Sequence, residues 1–292
     1  MPVIEKTIRT RRAEIHLRES AGSGLPLLML HGSGASGAVF AKQFGSAMAE
    51  GRHLIAIDLP GHGASSEAYD PASTYSIGGL AATVSSVMDA ISLDRATIFG
   101  WSLGGHIAIE LMATEPDRVA GLMLTGAPPV PRGPLGLLRG FHTHWDMLLA
   151  SKENFSPRDV ERFERMCFGD AGTPEFGELI RRADGRARTM FFRSVLRGDG
   201  ADQRRTVEQA QVPIALVNGA SEPIAKLGNL ASLNIPELWD GQSHVIPGAG
   251  HSPFWQAADA FNPLLARFAD DVAKGDEVRR HRLDAVPLAR SA

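Results

Sequence analysis

The chain has 292 residues, 43% of them hydrophobic, and a formal net charge of −3. That length suits one large α/β unit or two ordinary domains with ample apolar material for a core. The slight negative charge argues against polyanion binding as the main task, and the single cysteine, Cys167, rules out an intrachain disulfide and any C-x-x-C redox or zinc pattern.

Residues 1–16 are charged and lack an apolar h-region, so they do not read as a secretory signal. Residues 3–10 and 13–18 alternate with period two and are expected as an antiparallel pair at a sheet edge. Continuous apolar runs follow at 27–30, 53–57, 96–99 and 121–124, then at 214–217 and 244–246. Such runs suit parallel strands covered on both faces. The longest strong run, residues 25–30, is far too short to cross a bilayer. The expected location is therefore cytoplasmic, with neither membrane nor nucleic acid as partner. Helical patterns fall at 77–91, 103–114 and 257–273, the last with Phe261, Leu264, Leu265 and Phe268 at helical spacing. Strand–helix alternation predicts a doubly wound α/β fold with a mostly parallel sheet.

Residues 130–206 break the alternation. They are introduced by a Pro-rich stretch at 128–134 and continue as helical pieces separated at Ser156-Pro157 and Gly172-Thr173-Pro174. We expect a helical cap over the carboxyl ends of the strands, where ligands of open α/β sheets bind. The expected division is a core of 1–129 and 207–274, a cap of 130–206, and a loosely held tail of 275–292.

Gly100-Trp101-Ser102-Leu103-Gly104 is a G-x-S-x-G sequence between a β-prone run and a helix-prone run. A strand that feeds directly into a helix through a serine forces that serine into a strained turn and exposes its hydroxyl. The glycines let the two backbones pass closely. A serine nucleophile needs a base, an orienting acid and an oxyanion site. The candidate base is His251, on a small-residue loop after the last strand. The candidate acid is Glu222, the only carboxylate in the loop after the 214–217 strand; the loop at 125–131 holds none. Ser102, Glu222 and His251 then follow the chain order of the α/β-hydrolase fold. The expected oxyanion donors are the N–H groups of Leu103 and of Ser33, in the loop His31-Gly32-Ser33-Gly34. That loop lacks the flanking pattern of a nucleotide site. Asp58 and His62 are expected to pack a turn beside the nucleophile. His142-Thr143-His144-Trp145-Asp146 matches H-x-H-x-D, the opening of a dinuclear metal motif, but Met147 stands where a histidine would follow. We expect no metal and no cofactor, and a structural role for Cys167.

On these segments the chain resembles the α/β-hydrolase superfamily over nearly its whole length. More narrowly it resembles the α/β-hydrolase type of N-acyl-homoserine lactonase. That narrower likeness rests on residues 58–63, 99–106, 126–130, 184–188 and 217–219, and on Glu222 where most of the superfamily has aspartate. The resemblance implies a metal-free lactonase working through an acyl-enzyme. It also implies a small-molecule ester or lactone substrate, with Gly32, Trp101, Phe163 and Trp255 about the substrate. Two positions depart from it: Phe163 stands near where that type carries a cap tyrosine, so the hydroxyl is missing here, and Ser33 replaces a bulkier polar residue. Alternatives on the same triad are a general carboxylesterase or a C–C bond hydrolase. An alternative of another class is a ligand receptor with very slow turnover. Oligomeric state is not legible.

Overall fold

A computed structural model describes residues 2–284, and side chains as far as residue 279. Eight strands form one sheet in the order β1-β2-β4-β3-β5-β6-β7-β8. They are β1 Val3–Arg9, β2 Glu14–Ser20, β3 Ser23–Leu30, β4 Arg52–Ile57, β5 Ala96–Trp101, β6 Val119–Thr125, β7 Ile214–Gly219 and β8 His244–Ile246. β1 and β2 are the expected antiparallel edge pair, and β2 also runs antiparallel to β4. Every other neighbouring pair is parallel.

The central strands are buried along both faces because helices cover both. Leu28 and Leu30 of β3 belong to a core shared with α1 (Ile77–Ala90) and α2 (Leu103–Thr114) through Leu80, Val84, Ile107 and Leu111. Leu27 and Met29 point the other way, into a core with Phe261, Leu265 and Phe268 of the C-terminal helix. This is the period-two alternation of a pleated strand, apolar on both faces because both faces are buried.

Between β6 and β7 the chain builds helices: α3 Pro134–Gly140, α4 Pro157–Phe168, α5 Pro174–Arg182, α6 Gly185–Leu196 and α7 Gln203–Glu208. The punctuation read as separators marks helix starts. Ser156 caps α4 in a capping box with Asp159, and Pro157 and Pro174 occupy first-turn positions where no N–H is needed. Asp184 ties this layer to the core. Its N–H donates to the Gly61 carbonyl (2.8 Å), and its carboxylate accepts from the Tyr75 hydroxyl (2.7 Å).

One expectation fails. The C-terminal helix, α8, runs Ala258–Asp284 and so continues ten residues past the expected end of the core at 274. Residues 275–284 are helical although they lack an apolar period. They extend a helix already nucleated by the buried 261–272 face, which removes the cost of starting one. The rest of the expected tail, 285–292, lies outside the described residues. Among the described residues no helix is long and apolar enough to cross a membrane.

Candidate active site

The parallel register brings the candidate groups to one end of the sheet. Leu30 of β3 pairs with Gly100 of β5, and Trp101 with Thr125 of β6, so the loops carrying His31, Ser102 and Gly126 emerge side by side. The Gly126 N–H donates to the Asn218 side chain (2.8 Å), which clamps the end of β6 to that of β7. The Glu222 and His251 loops are joined by Ala220 N–H to the Ile246 carbonyl and Ser221 N–H to the Ala249 carbonyl, both 2.9 Å.

Ser102 has φ 52° and ψ −118°, a strained conformation for a residue with a side chain. Its N–H donates to the Thr125 carbonyl (2.8 Å), and its carbonyl accepts from Gly105 and His106 as α2 begins. A Cβ on Gly104 would run into the Leu30 carbonyl, and one on Gly100 into the Gly104–Gly105 backbone. The two glycines of the G-x-S-x-G sequence therefore serve close backbone passage.

His251 is buried over Gly126, so close that a Cβ on that glycine would land against the imidazole ring. Its Nδ1 lies 2.9 Å from both carboxylate oxygens of Glu222. Both side chains are fully shielded from solvent. Glu222 Oε1 also accepts from the N–H groups of Ile224 (2.7 Å) and Ala225 (3.1 Å). Burial pushes this carboxyl's pKa up. The charge of His251 and the three sets of hydrogen bonds outweigh it and hold the pKa below the ordinary value. With Nδ1–H engaged by the carboxylate, the unprotonated Nε2 is the basic nitrogen, and it is buried without a hydrogen-bond partner. Trp101 Nε1–H donates to the His251 carbonyl (2.9 Å), which holds the histidine loop against the elbow.

The His31 loop comes to the same place. A Cβ on Gly32 would sit 2.9 Å from the Trp101 ring and 3.2 Å from Ser102 Cβ. His31 Nδ1 lies 2.7 Å from the Gly32 carbonyl, and its Nε2 accepts from the Leu59 N–H (2.9 Å). Burial lowers its pKa to about 4, so it is a neutral strut rather than a base. His62 packs on it and is likewise lowered to about 3 by burial. The Asp58 carboxylate accepts from the N–H groups of Gly37 (2.7 Å) and Ala64 (2.8 Å). These three residues hold loops in place, as expected of Asp58 and His62. Among the described residues, the N–H groups of Ser33 and Leu103 take part in none of the hydrogen bonds of the surrounding turns and caps.

A cavity of about 470 Å³ opens above Ser102. Ser33, Trp101, Leu103 and Phe163 line it, and its far walls include Leu137, Phe141, Phe192 and Val195. Trp255 does not line it, contrary to expectation. Its indole N–H donates to the Ala171 carbonyl (2.9 Å), and its ring packs on Phe176 and under the Lys42 ammonium. It fastens the turn after α4 to the core. Cys167 lines the cavity, but burial pushes its thiol well above the ordinary range, so it is no nucleophile. Of the H-x-H-x-D residues, Asp146 is paired with Arg162, and His144 Nε2 lies 3.1 Å from the Pro223 carbonyl.

Sequence reading missed three polar residues of the cavity wall: His106, Arg188 and Gln203. Arg188 is buried; its Nε and Nη2 donate to the carbonyls of Lys152 and Glu153, and its guanidinium lies over Phe155. His106 Nδ1 lies 2.8 Å from Gln203 Oε1. His106 stands one helical turn after Ser102, and that spacing was the available signal. Arg188 lay in the 184–188 segment of the family likeness but was given no role there, and Gln203 carried no signal, since it reaches the cavity only through the packing of the cap.

A model of the alpha/beta hydrolase fold family matches residues 26–171. A solved structure of the N-acyl homoserine lactonase AidH, a variant complexed with N-hexanoyl homoserine, is 42% identical. It superposes with a TM-score of 0.90 and covers 93% of this chain and 98% of that one. AidH complexed with N-butanoyl homoserine is 43% identical, with a TM-score of 0.89, over 92% of this chain and 97% of that one. Among curated proteins, the pimeloyl-[acyl-carrier protein] methyl ester esterase of Nitrosospira multiformis is 31% identical over 270 residues, 86% of this chain and 97% of the relative.

Proposed function

The chain belongs to the alpha/beta hydrolase family, and from that premise we propose that it is a metal-independent serine lactonase that opens the ring of N-acyl-homoserine lactones. The observation that carries this reading is the shielded Glu222–His251 pair beside a strained Ser102 at the floor of an apolar cavity. The 42% identity to a lactonase that holds N-hexanoyl homoserine supports the choice of substrate.

Each residue then has one task. His251 Nε2 takes the Ser102 proton as Oγ attacks the lactone carbonyl. The N–H groups of Leu103 and Ser33 stabilise the oxyanion, where each donor contributes roughly 3 kcal/mol of barrier lowering. Glu222 stabilises the imidazolium. The ring C–O bond breaks, and His251 returns the proton to the departing ring oxygen, which remains attached to the acyl group as an alcohol. Water, deprotonated by His251, attacks the ester to Ser102, and His251 passes that proton to Oγ as the acyl–Oγ bond breaks and the N-acyl homoserine is released. A cavity of this size and polarity suits an acyl chain.

The methyl ester esterase relative favours a second reading, a carboxylesterase using the same groups on linear esters. The test is kcat/KM on N-acyl-homoserine lactones of graded chain length against p-nitrophenyl esters, with and without EDTA. Lactone opening that dominates and survives chelation is expected. Ester hydrolysis with no lactone opening would replace this reading by the second, and loss on chelation restored by zinc or manganese would overturn the serine mechanism.

A further inference from the structure

We propose that His106 and Gln203 recognise the amide of an N-acyl lactone, His106 Nε2 accepting its N–H and the Gln203 side-chain NH₂ donating to its carbonyl oxygen. This rests on the lactonase reading and adds the part of the substrate that the triad does not touch.

The pair lies in a largely apolar wall. Its one bond joins Nδ1 of the imidazole to Oε1 of the amide at 2.8 Å. With Nδ1–H donating there, Nε2 carries the lone pair. Burial lowers the pKa of His106 to about 4, so the ring is neutral and offers an acceptor. Both residues line the cavity, and neither His106 Nε2 nor Gln203 Nε2 is a buried atom left without a partner. Neither atom bonds to another group of the protein among the described residues, so both are open to the cavity. Arg188, the other strong donor of the wall, spends Nε and Nη2 on carbonyls and keeps only Nη1 without a partner, a donor with no acceptor beside it, whereas an amide needs both.

Position agrees with chemistry. His106 N–H donates to the Ser102 carbonyl at 3.2 Å, so the imidazole leaves the helix one turn, about 5.4 Å, beyond the nucleophile. In an N-acyl-homoserine lactone the amide nitrogen sits on the ring carbon next to the attacked carbonyl. A ring held at Ser102 places its amide within reach of that turn, and the acyl chain continues among Phe141, Phe192 and Val195. An amide moved into apolar surroundings needs partners for both its N–H and its C=O. An acceptor and a donor side by side supply both.

The pair also ties α2 to α7, and a purely structural role would weaken every substrate alike. The experiment therefore compares two lactones of equal length. One is N-hexanoyl-homoserine lactone; the other is a γ-butyrolactone with an α-heptyl chain, in which methylenes replace the N–H and C=O. We expect Gln203→Met and His106→Leu each to lower the ratio of kcat/KM, amide over amide-free, by about 10- to 100-fold relative to wild type, the range for leaving buried amide groups unpaired. Should His106→Leu fail to fold, Gln203→Met carries the test. An unchanged ratio overturns the amide assignment and leaves the lactonase reading standing. A wild-type protein that opens neither lactone overturns both.

Discussion

Glu222→Gln separates charge from shape at the centre of the site. Two backbone N–H groups, those of Ile224 and Ala225, converge on Oε1 and demand an acceptor there. The glutamine oxygen must take that place, so its NH₂ falls where Oε2 now lies, 2.9 Å from His251 Nδ1. An N–H facing Nδ1 favours the tautomer with the proton on Nε2, which can no longer accept from Ser102. The imidazolium also loses the counter-charge of Glu222 in a fully shielded setting. The imidazolium exists only along the reaction path, so the loss is felt in the barrier, at about the 3–5 kcal/mol that stripping a buried charge of its partner costs. We therefore expect kcat/KM on an acyl-homoserine lactone to fall by roughly 10²–10⁴-fold, the upper end matching the tautomer effect known for triads. Glu222→Asp keeps the charge but is one methylene short, and should lose less. Both variants should melt within a few degrees of wild type, since neither alters the core. The folded-state pKa of Glu222 is depressed, so its charge stabilises the fold above the ordinary carboxylate value of 4.5 and that contribution is lost as pH falls through the folded value. Any stability gap between wild type and Glu222→Gln should accordingly shrink below pH 4.5. Near wild-type turnover in Glu222→Gln, with an unchanged melt, would refute the argument.

Ser102→Gly should abolish labelling by a fluorophosphonate yet raise stability by about 1 kcal/mol, because glycine adopts φ 52° without strain; a lower melting temperature would show that the serine is not strained. Gly126→Ala should push the His251 ring aside and lower kcat by roughly 10²-fold on a folded protein, read by kinetics alongside circular dichroism. Trp255→Phe should destabilise by about 1–2 kcal/mol through the lost bond to Ala171 with little change in KM, and a large KM increase would return Trp255 to the substrate site.

Much of this molecule was legible in its sequence. The strands at 27–30, 53–57 and 121–124 and the helix at 103–114 were readable because each is long enough to show its apolar pattern, and the helix follows directly from the elbow. Ser102, Glu222 and His251 were readable for a related reason. Each sits in the segment that follows a strand, and loops after parallel strands all emerge at one end of the sheet. Strand order and register were not readable, yet they alone bring Gly32, Ser102 and Gly126 together. Trp255 was expected about the substrate as an aromatic, but its indole turns to the Ala171 carbonyl, a contact made only once the cap has docked. The C-terminal helix outran its periodic signal because helix extension needs no apolar face once a buried turn has nucleated it. His106 and Gln203 are 97 positions apart and show no pattern in common. Local periodicity reports which face of an element is buried, whereas a cavity wall is assembled from elements distant in the chain, and only their packing decides which polar atoms it leaves open.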